Sequence, residues 1–338
     1  MKEIRHKLFL GLASLAFAGL AGAVFFHNQF TPAESSDWGL NFSQSRAREL
    51  GFEPIYLLAD MLSDLRPKKI RLMAYWEEME PERGKFDFSQ MDRMLELAGD
   101  FGTEVILVVG KKQPRWPECH EPVWALALSK EAEAAARLAM IEKAVTHFKA
   151  APAVKIWQVE NEALFKFGES CPKMDRSLLK KEVALVKSLD SRPVMVTDSG
   201  EMGRWIPTAT VGADLFGSTM YTVVHNPVTG YFKYPLTPAM FRIKAGVLAF
   251  LTGVKKITGV ELQAEPWLIN GVLGTDLETQ KSLMNPKVFE KYTSFAREVG
   301  FSDNYLWGVE WWYWMAQKHN DWGMWTAAKE LIAENRGN

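Results

Sequence analysis

Two runs of this 338-residue chain carry acids spaced for work on a sugar bond. Trp157-Gln-Val-Glu-Asn161-Glu162 and Glu261-Leu-Gln-Ala-Glu265-Pro266-Trp267 each close an apolar, β-rich stretch with a glutamate. Cleavage of a glycosidic bond with retention needs two carboxyl groups roughly 5 to 5.5 Å apart, one protonated to release the leaving group and one ionised to attack the anomeric carbon. Glu162 and Glu265 are the candidates for this pair. Repulsion and partial burial would raise the pKa of the acid, while hydrogen bonds would keep the other carboxylate charged. A single rim glutamate is more often one half of an ion pair; the weight lies on the two together. Glu160, Glu261, Asp198, Glu201 and Glu310 are read as structural acids, with Glu310 the strongest rival to the pair.

Positioning such a pair is the task of the elements around it. Short β-rich runs at 38–43, 68–75, 103–110, 154–161, 192–199, 214–221, 257–265 and 306–314 alternate with helical patterns such as 88–102 and 130–149, the signature of parallel strands joined by helices. Eight strands with eight helices predict a closed α/β architecture, the (β/α)8 TIM barrel, whose chemistry sits at the C-terminal ends of its strands. An open doubly wound sheet is the structural rival, but no G-x-G-x-x-G follows the first strand. Hydrophobic residues at 47% supply a core, and a net charge of -1 offers no field for nucleic acid. Among 13 tryptophans, Trp116, Trp76 and Trp267 stand at strand ends, where a flat ring suits a sugar face; packing is the alternative for each. His120 and His225 fall in loops and read as solvated.

From about Trp38 to Trp325 the chain resembles the clan A glycoside hydrolases, retaining (β/α)8 enzymes that include cellulases, mannanases, xylanases and β-galactosidases. Asn161-Glu162 matches the acid/base motif after strand four, and Glu265 matches the nucleophile ending strand seven. The run Trp76-x3-Glu80-Pro81-x2-Gly84-x-Phe86-Asp87-Phe88-x3-Asp92 and the Pro114-to-Pro117 patch are similar to the loops after strands two and three. The resemblance implies that Asn161 binds the sugar 2-hydroxyl, that Arg71 on strand two and Tyr221 ending strand six reach the nucleophile, and that a strand-eight tryptophan, Trp312 or Trp311, underlies the sugar. No histidine matches the one many members carry after strand three, where Gly110-Lys-Lys-Gln113 stands.

Lys2, Arg5 and Lys7 precede an uncharged stretch, 8–26, long enough to cross a bilayer of about 30 Å. Residues 1–30 are expected as an uncleaved anchor or a cleaved signal, 31–37 as a tether and 38–338 as the catalytic barrel, outside the cytoplasm. In the barrel, Cys119 and Cys171 fall in neighbouring loops on one face, which favours a disulfide in an oxidising compartment. The expected activity is a retaining β-glycosidase that works as a single chain on carbohydrate and water, with no metal, organic cofactor or nucleic acid. The alternatives are a barrel that binds sugar without turnover, a transglycosylase and a lyase.

Overall fold

The structure is a computed structural model that describes residues 19–169, 171–226, 228–254 and 256–334. Its centre is a closed barrel of eight parallel strands: β1 (Asp37–Phe42), β2 (Lys69–Met73), β3 (Glu104–Val109), β4 (Val154–Val159), β5 (Val194–Asp198) and β6 (Leu215–Met220). A small antiparallel hairpin, β7 (Val223–Asn226) and β8 (Gly230–Lys233), interrupts the series before β9 (Ile257–Gln263) and β10 (Asp303–Trp307) complete it. Closure is made by β1 on β10, with Trp38 opposite Asn304 and Leu40 opposite Leu306.

The strands read as nearly continuous apolar runs because the barrel buries both of their faces. Inside, Ile106, Met195, Val260 and Tyr305 form a plug, and toward the C-terminal mouth Met73, Val108 and Trp307 form a second layer with Tyr221 against it. Outside, amphipathic helices such as Ser89–Asp100, Lys130–Phe148 and Pro286–Val299 pack on the strands. Side-chain caps start two of them: the Ser129 hydroxyl accepts from the Ala132 amide, and Asn285 from Lys287 and Val288.

One expected strand is corrected. The run at 306–314 is not a strand throughout: β10 ends at Trp307, Gly308 takes a φ of 135°, and Val309–His319 is a helix. Trp311, Trp312, Met315 and Ala316 are buried at helical spacing. β-prone aromatics on a helix buried nearly all round masked the change of period.

Residues 31–36, expected as a tether, lie against the barrel floor. The Ala33 and Asp37 amides donate to the Gly300 and Ser302 carbonyls, and the buried ring of Phe30 meets Phe301 edge-on. Lys2, Arg5, Lys7 and most of the apolar stretch after them lie outside the described residues, and among the described residues no helix is long and apolar enough to cross a membrane.

Candidate active site

At the C-terminal mouth of the barrel, Glu162 stands two residues beyond Asn161's neighbour Glu160, on a backbone that takes φ 46° at Glu162 and 59° at Glu160. For non-glycine residues this left-handed region is costly, and it persists where surroundings over-determine it. Here the surroundings are explicit. The Lys111 and Lys112 amides donate to the Glu160 carboxylate, the Glu162 amide donates to the Thr197 hydroxyl at 3.0 Å, and the buried Lys112 ammonium donates to the carbonyls of Glu162 and Phe165. Gly110, at φ 126°, leaves room for this clamp, since a Cβ there would stand 2.5 Å from the Glu160 carboxyl carbon.

Burial pushes the Glu162 carboxyl well above the usual range. The negative charges of Glu261, Glu118 and Glu201 push it the same way, against Lys112. One Glu162 oxygen accepts from the Thr219 hydroxyl at 3.1 Å. A carboxyl in this setting gives up its proton less readily than an exposed one.

Arg71 and Tyr221 were expected to reach Glu265; both belong to Glu261. The buried Arg71 guanidinium pairs with Glu261 Oε1 at 2.7 Å, and the Tyr221 hydroxyl donates to Oε2 at 2.9 Å. Arg71 also donates to Gln158, Asn41 and the Asn161 side-chain oxygen, so one cation sets the positions of Glu261 and Asn161 together. A strand irregularity aims Glu261 inward. β6 pairs Ser218 with Gly259 and Thr219 with Glu261, skipping Val260, so Val260 and Glu261 both face the barrel interior. Strict alternation would have sent them to opposite faces.

Glu265 lies two residues past the end of β9 and has a different partner. Arg115 holds it with its two terminal guanidinium nitrogens and reaches Glu310 at 2.9 Å, while its guanidinium carbon sits 4.2 Å from the centre of the Trp307 ring. Burial works to raise the Glu265 pKa, but Arg115, Arg46 and Trp307 hold it below the usual carboxylate range. Glu310 is drawn off as well: it accepts from the Ser43 amide at 2.5 Å.

Trp312 and Trp311 are fully buried on the helix after strand eight. Their indole N–H groups donate to the Ala264 carbonyl and to Gln280. Trp307, at the end of β10, lies in the inner layer toward the mouth, beneath the Arg115 guanidinium. Trp76 is buried with its N–H on Glu80, and His120 is buried between Glu77 and the Arg115 carbonyl, stacked on Tyr75, rather than solvated. Trp116, by contrast, is 61% exposed. It meets Phe167, which meets Trp267, which meets Tyr221, an aromatic path leading into the mouth. Cys119 and Cys171 are joined by a disulfide.

Sequence reasoning missed Arg115, Glu118, Lys112 and Trp307. The first two flank Trp116-Pro117 in a loop with φ of 92° at Arg115 and 76° at Glu118. The departure from the histidine pattern after strand three was the available signal. No group of three or more histidine, cysteine, aspartate or glutamate side chains among the described residues could hold a metal ion.

The comparisons add a family-model match over one stretch of the chain and solved structures of the same barrel fold. The glycosyl hydrolase 42 family model, described as Beta-galactosidase, matches residues 63–127, the stretch that holds both loop motifs. No curated protein matches the chain. Among solved structures, a GH5_18 enzyme from Bifidobacterium longum in complex with Manb1-4GlcNAc is similar with a TM-score of 0.61 at 13% identity, over 89% of this chain and 79% of that one. A glycosylated GH10 endo-beta-1,4-xylanase from Gloeophyllum trabeum gives 0.55 at 15% identity, over 81% and 85%. The exo-beta-1,4-mannosidase Op5Man5 from Opitutaceae bacterium strain TAV5 gives 0.55 at 13%, over 82% of this chain and 53% of that one. At these identities the likeness is one of fold.

Proposed function

We propose that the chain is a retaining β-glycosidase in which Glu162 is the general acid/base and Glu261, in place of the Glu265 expected from sequence, is the nucleophile. The observation that carries this reading is the division of partners. Glu261 has a cation on one oxygen and a phenol on the other, facing a Glu162 whose proton is held by burial and by the charge of Glu261 itself. Glu265 is committed to Arg115, which also holds Glu310.

In the first step Glu162 gives its proton to the glycosidic oxygen as that bond breaks, and a Glu261 oxygen bonds to the anomeric carbon. Glu162, now ionised, then takes a proton from water as the water oxygen displaces Glu261, which leaves as carboxylate with the configuration retained. Asn161, its oxygen tied to Arg71 and Thr197 and its amide also bonded to Glu118, presents its remaining N–H to the sugar 2-hydroxyl. Trp116, Phe167 and Trp267 offer ring faces for further sugar units, which suits a β-linked oligosaccharide, as in the mannosyl and xylan enzymes of similar fold.

The test is hydrolysis of a panel of aryl β-glycosides and β-1,4-linked oligosaccharides by the purified chain and its variants. Activity is expected in the native protein and near-complete loss in Glu162→Gln and Glu261→Gln. Full activity in either variant would sink the assignment.

A further inference from the structure

Neither step above uses Glu118. Its side chain is 7% exposed, and its Oε2 has no hydrogen-bond partner among the described residues. It is seated among Glu162, Glu261, Asn161, Arg71 and Lys112. We propose that Glu118 is a third substrate-contacting carboxyl of the cleavage position, where it reads the substituent at C2 of the sugar and selects between C2 epimers. The location of the sugar ring rests on the glycosidase reading, because Asn161, beside Glu118, is the group that reading assigns to the 2-hydroxyl.

The backbone is built to hold this side chain in place. Glu118 takes φ 76°, a strained position for a residue with a Cβ. Its amide donates to the Arg115 carbonyl at 2.7 Å, its own carbonyl accepts from Gln113 at 2.8 Å, and the next residue is disulfide-bonded Cys119. A carboxyl present only for packing would be paired, since leaving a buried oxygen without a donor is costly. A buried cation is at hand in Lys112, yet its ammonium donates to the Glu162 and Phe165 carbonyls. A sugar hydroxyl would give the orphaned Oε2 the partner that the protein does not supply.

The protonation state points to a neutral partner. Burial, then the charge of Glu261, pushes the Glu118 pKa up to about 8, against Lys112, Asn161 and Arg71. At neutral pH most of the carboxyl is protonated, so it can both donate and accept, which fits a hydroxyl better than an ammonium.

Two measurements decide the matter. The first is kcat/KM for 4-nitrophenyl β-glucoside, β-mannoside and the 2-deoxy glucoside with the native chain, Glu118→Gln and Glu118→Ala. The glucoside-to-mannoside ratio is expected to move by more than about tenfold, with the 2-deoxy substrate changing less than about twofold. An unchanged ratio in a variant that still melts cooperatively overturns the assignment. The second is calorimetric titration of native chain and Glu118→Gln with D-glucose, D-mannose and D-glucosamine. Discrimination between glucose and mannose that is lost in the variant supports the proposal; equal binding by the native chain overturns it, as does preference for glucosamine. A chain that hydrolyses no glycoside would remove the glycosidase reading, and the binding arm would then decide Glu118 alone.

Discussion

In the proposed mechanism Glu162 acts from an environment that disfavours its charged form. Its pKa is raised by burial and by Glu261, so the acid form needed for leaving-group protonation falls away only as pH climbs through that raised value. We expect kcat/KM to show an alkaline limb that is absent in Glu162→Gln, whose activity on poor leaving groups drops about 10²- to 10⁴-fold; an unaltered limb would assign it to another group. The same shift has a stability sign. The folded pKa lies above the unfolded value of 4.5, so the folded chain binds the extra proton, and the stability present below that value is lost as pH rises. Glu162→Gln should therefore melt above the native chain at pH 8 and by a smaller margin at pH 5; a constant margin would contradict the shift. Tyr221→Phe removes one charge-assisted hydrogen bond from Glu261 and should cost roughly 10- to 100-fold in kcat/KM, which kinetics on an aryl glycoside would check. Glu162 and Asn161 were legible because a strand-end rule needs only the strand. Glu261 was not, because its inward aim comes from a skipped pairing at Val260 that alternation along the strand cannot express.

The elements that carry the site are loops pinned to strand ends. The loops after β3 and β4 are tied by the Cys119–Cys171 disulfide, which spans 52 residues of chain. Replacing both cysteines with serine should cost about 2 to 4 kcal/mol, measured by denaturant unfolding. Unchanged stability would show that the Glu160 clamp and Lys112 suffice. Gly308 makes the turn from β10 into its helix, and a Cβ there would stand 2.6 Å from the Glu265 Cβ. Gly308→Ala is expected to destabilise by about 1 to 3 kcal/mol, visible as a lower denaturation midpoint. This turn is where reading the sequence failed: Trp311, Trp312 and Trp314 are strand formers by type, and only the burial of a whole helix reveals their period. Seven of the eight barrel strands were legible because their apolar runs are short and set off by turn residues; the hairpin β7–β8 gave no such pattern.

At the scale of the molecule, the barrel turns distant residues into one site: Arg71, Glu118, Glu162, Tyr221 and Glu261 come from five stretches of chain and converge at one mouth. The floor at the other end is sealed by Phe30 and the segment after it. From the Cys119–Cys171 disulfide we propose that the chain folds outside the cytoplasm: an export-dependent reporter joined to the C-terminus should be active, and activity of a reporter that works only in the cytoplasm would argue otherwise. The central claim is that Glu261 bonds to the sugar. Incubation of the intact chain with a 2-deoxy-2-fluoro aryl β-glycoside, followed by digestion and mass spectrometry, should place the fluorosugar on Glu261, and label on Glu265 or Glu310 would contradict it.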